Sequence, residues 1–336
     1  MDMLNESRLT SLLHKTLRAR QSFIDPEHTS AFRLFNGFYE GEPDLVVDVY
    51  GSTLVLFSYS EDGQASLLLT QLARDVLLEA LPWIKCVISK YHGAEDTDLR
   101  MGNITFGSLP QTQISENGVN YAIDLMMNQD ASFYLDTRNL RRWLIEQTAG
   151  LEILNTFAYT GSLGVAALAG GAANVVQMDR NQKFLELARR SAMLNRLDLG
   201  KMKLTVVDFF VGIGQLKQKG RLFDLVILDP PFFSITDKGK VDQVEESARL
   251  INKVRPLVRD GGSIVAINNA LFLSGDEYMR SLAMLGQAGY VKVEEVILVP
   301  GDITGFEETV ENQPPSNPAP FNHPTKIAVL RIKRKS

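Results

Sequence analysis

The sequence predicts an α/β protein in which the second half of the chain forms a doubly wound parallel sheet and the first half a smaller α+β domain. Two observations lead there. From residue 151 onward, apolar runs of strand length alternate with helix-length segments, as they do when every strand is covered on both faces. Before that point, shorter β-rich runs are separated by turn residues and interrupted by helices.

In chain order, Leu9, Leu12, Leu13 and Leu17 recur at helical spacing and predict a helix within residues 2–22. "FRLFNGFY", "LVVDVYG" and "TLVLFSYS", broken by "EGEPD" and "GS", read as a small meander. A helix follows near residues 65–81, then the strand "IKCVISK". "TQISENGVNYAIDLM" reads as a hairpin because Asn117-Gly118 suits a two-residue turn. "LEILNTFA", "NVVQMD", "KLTVVD", "FDLVILD" and "GSIVAIN" supply the first five strands of the large sheet. "VKVEEVILVP" and "KIAVLRIKR", on either side of the Pro-rich "NQPPSNPAPFNHP", close it as an antiparallel pair. The predicted organisation is an N-terminal helix over 1–30, a middle domain over 31–130 and the large domain over 131–336.

Composition narrows the class. The chain has 336 residues, of which 45% are hydrophobic and 22% charged, as in a globular protein rather than a disordered one. The single cysteine, Cys86, allows no internal disulfide and no cysteine-built metal site, so a reducing compartment and no metal are expected. The N-terminus has acids early and no signal-like apolar core, and no run approaches the ~20 apolar residues of a membrane span. A cytoplasmic protein is expected. The net charge of −5 argues against broad electrostatic binding of nucleic acid and leaves room for local basic patches.

Ligands of an open α/β sheet sit beyond the carboxyl ends of its strands. After the first strand comes Tyr159-Thr160-Gly161-Ser162-Leu163-Gly164, and after the second, Asp179-Arg180. Asp208-Phe209 follow the third, Asp229-Pro230-Pro231-Phe232 the fourth, and Asn268-Asn269 the fifth. A dinucleotide site needs G-x-G-x-x-G to admit a pyrophosphate, and this loop lacks the first glycine. A phosphate-free adenosine cofactor such as S-adenosylmethionine needs less room. Asp179 can accept from ribose hydroxyls in either case. Asp229-Pro230-Pro231-Phe232 favours the second, because a carboxylate, the Pro230 carbonyl and an aromatic plane together can grip a nucleobase that bears N–H groups.

These residues resemble the bacterial class I S-adenosylmethionine-dependent methyltransferases of 23S, large-subunit ribosomal RNA, in the branches that make 5-methylcytosine or 7-methylguanine. The resemblance spans roughly residues 30–335 and rests on "RLFNGFYEGEPDLVVDVYG", "ASFYLDTRNLRRWL", "NTFAYTGSLGVAALAGGA", "LDPPFFS" and "FNHPTK". It implies a Rossmann-like methyltransferase domain, S-adenosylmethionine as cofactor and ribosomal RNA as partner. It also implies that Tyr134, Asp136 and Arg138 lie against the methionine end of the cofactor, that Phe157, Thr160 and Gly161 line it, that Asp179 with Arg180 holds the ribose, and that Asp208 and Phe209 meet the adenine. Members of that family commonly begin with a small RNA-binding module, whereas this sequence starts close to the middle domain.

Methylation at carbon 5 of a pyrimidine needs a covalent nucleophile, normally a thiolate. The 5-methylcytosine branch carries that cysteine after the fifth strand, where this sequence reads Ile267-Asn268-Asn269-Ala270. Cys86 lies in an apolar strand and reads as a small buried hydrophobe. The paired asparagines and "DPPFFS" resemble the 7-methylguanine branch. The expected reaction is therefore methyl transfer to a base nitrogen, guanine favoured, with Asp229, Pro230, Pro231 and Phe232 as the catalytic segment; ring nitrogen 7 of guanine suits it, and an exocyclic amine also fits, since Asp229 and Pro230 could draw its lone pair out of conjugation. Asp229 acts there as an orienting acceptor. Phe232 or Phe233 would stack on the base, and Asn268 and Asn269 would bond its edge. Plainer readings stand beside these. Asp179 and Asp208 can be helix N-caps, the glycines and Asp-Pro-Pro simple turn punctuation, His323 a loop hydrogen-bonder, and Met126 and Met127 core filler. Arg138-Arg141-Arg142 and Lys217-Lys219-Arg221 can be solvated helix faces. Transfer to a protein or small molecule, and a catalytically silent cofactor-binding module, remain the competing functions.

Overall fold

The computed structural model describes residues 3–334 except 237, 238 and 245. The chain divides into two units, Met1–Leu135 with Pro300–Gln313, and Asp136–Val299 with Pro314–Ser336. The boundary expected after residue 130 falls after Leu135, and the chain returns once to the first unit.

In the first unit α1 (Met3–Ala19) leads to β1 (Ala31–Asn36), β2 (Leu45–Tyr50) and β3 (Thr53–Ser58). Then come α2 (Gly63–Ala80), β4 (Cys86–Tyr91), α3 (Thr97–Met101) and β5 (Asn103–Gly107). Among the described residues the sheet runs in sequence order from β1 to β5. Only β3 and β4 pair in parallel, which the intervening α2 permits by carrying the chain back. Asp62 starts α2 by accepting from the Gln64 and Ala65 N–H groups. Leu9, Leu12 and Leu13 of α1 and Leu69, Ala73 and Leu77 of α2 bury against Phe32, Leu34, Val47, Val49, Leu54 and Leu56. α1 is therefore part of this core, not a separate segment. The predicted hairpin is present as β6 (Gln113–Glu116) and β7 (Val119–Ala122), with both turn residues at positive φ, Asn117 at 51° and Gly118 at 76°.

Residues 300–313 belong to the first unit because buried polar groups hold them there. Arg20 and Glu40 form a wholly buried ion pair at 2.8 Å. Arg20 Nη2 also donates to the Asp302 carbonyl at 2.9 Å, Asp302 Oδ2 accepts the Arg33 N–H at 2.9 Å, and the Thr309 hydroxyl donates to Glu40. Hydropathy and periodicity do not register such contacts, so the return was invisible in the sequence.

The second unit begins with α4 (Arg138–Gln147), β8 (Glu152–Thr156), α5 (Ser162–Ala169), β9 (Asn174–Asp179) and α6 (Gln182–Leu194). It continues with β10 (Met202–Val206), α7 (Phe209–Gln218), β11 (Phe223–Leu228), β12 (Phe233–Thr236), β13 (Gly239–Asp242) and α8 (Ser247–Val254). β14 (Val258–Asn268), α9 (Gly275–Gly286), β15 (Val291–Ile297), the first unit's α10 (Gly301–Thr304) and β16 (Lys326–Ile332) complete the chain. Among the described residues the large sheet has seven strands in the order β10-β9-β8-β11-β14-β16-β15. The first five are parallel, and β16 runs antiparallel to both β14 and β15. This is the expected Rossmann-like doubly wound sheet with its antiparallel closing pair. Strand order reverses between β8 and β11, so the carboxyl ends of those strands open a crevice.

The antiparallel ribbon of β12 and β13, which follows the Asp-Pro-Pro-Phe segment directly, was not expected. Met126 and Met127 sit half-buried in a turn, outside the core. Arg141 is wholly buried with Nη1 donating to Thr137 Oγ1 at 2.8 Å, so it is not on a solvated face. Lys217, Lys219 and Arg221 are exposed, and Arg221 pairs with Glu152 at 3.3 Å.

Candidate functional site

The loop after β8 is shaped by three left-handed residues, Phe157 (φ 53°), Tyr159 (φ 51°) and Gly161 (φ 74°). Left-handed backbone in non-glycine residues is strained and persists only when its surroundings enforce it. Here they do. Asp179, at the end of β9, accepts the Tyr159 N–H on Oδ2 and the Asn181 N–H on Oδ1, both at 2.9 Å. Buried Gln177 accepts from Asn155 Nδ2 at 2.8 Å and donates to the Gly161 carbonyl at 2.9 Å. A Cβ on Gly161 would lie 2.4 Å from Ala188 Cβ, and one on Gly164 would lie 2.4 Å from the Gln177 amide. These glycines are thus required by packing within the protein as well as by any ligand above it. Asp179 is not the helix cap, since Asn181 caps α6. Burial raises the Asp179 pKa, and the backbone N–H groups it accepts from pull it back.

Asp208 is the N-cap of α7, accepting from Phe210 N at 2.9 Å, so the plainer reading holds for it. Phe209 is buried, and its ring stacks on Phe157 at 4.5 Å and 25°. Thr160 is buried and Arg180 is exposed. Arg138 opens α4 as its first residue. Tyr134 belongs to the first unit, with its hydroxyl donating to Asp130 at 3.1 Å.

The end of β11 has different electrostatics. Desolvation pushes the Asp229 pKa up to about 7, the nearby Asp136 carboxylate adds to the rise, and a side-chain hydrogen bond from Asn269 opposes it. Asp136 is held by the Thr325 hydroxyl at 2.9 Å. Two carboxylates that repel one another in a poorly solvated place stabilise a cation that comes near them. Phe232 and Phe233 follow, about half exposed at 53% and 51%.

Gln243, at the end of the unexpected ribbon, ties this segment to the loop after β14. It is wholly buried. Its Nε2 donates to the Pro230 carbonyl and its Oε1 accepts from Asn269 N. Its own N–H donates to the Phe232 carbonyl at 3.1 Å, and its carbonyl accepts from Asn268 Nδ2 at 2.8 Å. One expectation changes and another narrows as a result. The Pro230 carbonyl already has one donor inside the protein. Asn268 is wholly buried, with Nδ2 on Gln243 and Ser247 and Oδ1 accepting from Ala270 N, so it supports the loop rather than facing a substrate. Asn269 is exposed.

"FNHPTK" acts as a scaffold. Asn322 brackets Val299 with bonds of 2.9 and 2.8 Å, and His323 Nδ1 accepts from Thr325 N at 3.0 Å, the loop role expected for it. Thr325 holds Asp136, and buried Lys326 donates to the Ala270 carbonyl at 3.0 Å. Sequence reasoning missed Gln177, Gln243 and Thr325. Only Gln177 carried a signal, as a lone amide inside an otherwise apolar strand.

A model of the S-adenosylmethionine-dependent methyltransferases matches residues 97–294. A Bacillus subtilis protein named as a ribosomal RNA large subunit methyltransferase candidate is 30% identical over 280 residues, covering 80% of this chain and 68% of its own length. Ribosomal RNA large subunit methyltransferase I of Escherichia coli K12 is 27% identical over 281 residues, covering 81% of this chain and 69% of that one. A crystal structure titled as a methyltransferase candidate complexed with SAH superposes with a TM-score of 0.85 at 21% identity, over 97% of this chain and 82% of its own, a likeness of fold.

Proposed function

We propose, from the premise that this chain belongs to the S-adenosylmethionine-dependent methyltransferases, that it methylates a base nitrogen of large-subunit ribosomal RNA, guanine being favoured. The observation that carries the reading is the end of β11, where a desolvated carboxylate stands beside exposed aromatic rings, while the loop after β14 contains no cysteine. The relatives named for ribosomal RNA support that substrate class, and a cytoplasmic reaction is part of the same proposal. Among the described residues no helix is long and apolar enough to cross a membrane.

The donor set fits the cofactor. Asp179, at the end of the second strand, is placed to accept from ribose hydroxyls. Asp136 and Asp229 favour the positively charged end of the molecule. Arg138, at the start of α4, can offer a forked donor to its carboxylate. When bound, S-adenosylmethionine supplies an electrophilic methyl group on a cationic sulfur.

Carbon chemistry is disfavoured by the one cysteine. Cys86 is buried in β4 of the first unit, and burial pushes its thiol pKa up, away from the thiolate a nucleophile needs. A ring nitrogen with a lone pair needs no covalent activation. The enzyme then has to align it for in-line attack and stabilise the charges around it. Asp229 provides the charge, Phe232 or Phe233 a stacking surface and Asn269 a hydrogen-bonding edge.

The test is to incubate the full chain with methyl-labelled cofactor and RNA from cells lacking its gene, then digest to nucleosides. Label in a nitrogen-methylated base is expected. 5-Methylcytosine, or label only in protein or metabolite fractions, refutes the proposal.

A further inference from the structure

An exocyclic amine is a poor nucleophile because its lone pair is conjugated with the ring. A site that methylates one has to accept both amine hydrogens and draw the nitrogen out of conjugation, which takes two acceptors at fixed positions. The end of β11 has two groups of the right kind, the Asp229 carboxylate and the Pro230 carbonyl. The second is engaged and shielded: its carbonyl already accepts from Gln243 Nε2 on one lone pair, and the burial of Pro230 closes approach to the other.

The orientation of that amide is set by its other end. Gln243 Oε1 accepts from Asn269 N, so turning the amide over would set oxygen against the Pro230 carbonyl and N–H against N–H. The Gln243 main chain is also engaged on both sides, with Phe232 and with Asn268. A wholly buried side chain with this many bonds does not swing away to expose the carbonyl at modest cost.

We propose that Gln243 is a positioning residue that confines transfer to a ring nitrogen bearing no hydrogen, by occupying the acceptor an exocyclic amine would require. The inference rests on the base-nitrogen reading above and sharpens it. A ring nitrogen presents a lone pair and asks for no acceptor, so the single remaining carboxylate is sufficient. The same four contacts hold the Phe232 segment and the Asn269 loop in fixed register.

Two measurements on the full chain test this. With wild-type protein, labelled cofactor and RNA from cells lacking the gene, the label belongs in a ring-nitrogen-methylated nucleoside. Label in a base with a methylated exocyclic amine overturns the role of Gln243 while leaving the base-nitrogen reading intact. Label on a ring carbon, or none in RNA, overturns that reading and the inference with it. The second measurement is Gln243→Glu, which keeps the acceptor for Asn269 N–H and replaces the donor to Pro230 by an oxygen. Its kcat should fall about tenfold or more from misplacement, with KM for RNA and calorimetric affinity for S-adenosylhomocysteine held within about twofold. A folded variant with unchanged kcat, or one whose loss lies in KM or cofactor affinity, contradicts the proposal. Should the variant fail to fold, the wild-type product alone decides between the two target classes.

Discussion

The two sides of the crevice in the second unit are built on opposite principles. On the β8 and β9 side, the charged and polar groups are satisfied inside the protein. Asp179 accepts backbone N–H groups on both oxygens, Gln177 bridges Asn155 and Gly161, and Asp208 caps a helix. On the β11 side, Asp229 is desolvated, repelled by Asp136 and only partly relieved by Asn269. One side is a rigid cradle whose shape exists before any ligand arrives. The other holds charge at a cost to stability, as sites that must stabilise a charge elsewhere often do.

The largest effect should come from the unstable side. Asp229→Ala removes the charge beside the reacting groups, and transfer should fall by about 10²-fold to 10³-fold in a single-turnover assay. The pH profile sharpens the point. With the Asp229 pKa raised to about 7, the carboxyl is neutral below that pH, so kcat/KM of the wild type should rise through pH about 7. Asp229→Asn should flatten that limb. An unchanged profile would mean that Asp229 is not the group that titrates.

On the cradle side, Asp179→Ala should weaken cofactor binding by about 1.5 to 3 kcal/mol, measured by calorimetry. It should also lower the melting temperature, because the Tyr159 and Asn181 N–H groups lose their acceptor. Phe232→Ala should reduce activity on RNA by about 1 to 3 kcal/mol, the worth of one stacked base, with cofactor affinity unchanged. Cys86→Ser should leave kcat unchanged, though a hydroxyl in that buried strand position costs about 1 to 3 kcal/mol of stability. Loss of activity in a folded Cys86→Ser protein would overturn the choice of nitrogen over carbon.

Much of this was legible in advance for physical reasons. Strands covered on both faces must be apolar along their length, so the parallel sheet and its closing pair stood out, and with them the acids at the strand ends. Asn117-Gly118 announced its turn because both residues tolerate positive φ. What escaped detection depends on contacts distant in sequence. The ribbon after Phe232 has strands of only four residues each, too short for their alternation to stand out, so neither it nor Gln243 was visible. The buried Arg20–Glu40 pair that retains residues 300–313 in the first unit joins charged residues that read as surface. Asn268 and Asn269 look alike in sequence, yet one is buried in support and the other exposed.

The difference between the two sides is tested most directly by melting temperatures of the ligand-free protein at pH 8. A carboxyl whose folded pKa is raised from 3.8 to about 7 destabilises the fold progressively as pH climbs through that window, and fully above it. Asp229→Asn removes the penalty and should melt several degrees above the wild type at pH 8, with the gain vanishing near pH 3. Asp179→Asn places an N–H donor against the N–H groups its carboxylate accepts, and should melt below the wild type. A ligand-free Asp229→Asn protein that melts at or below the wild-type temperature at pH 8 would contradict the account.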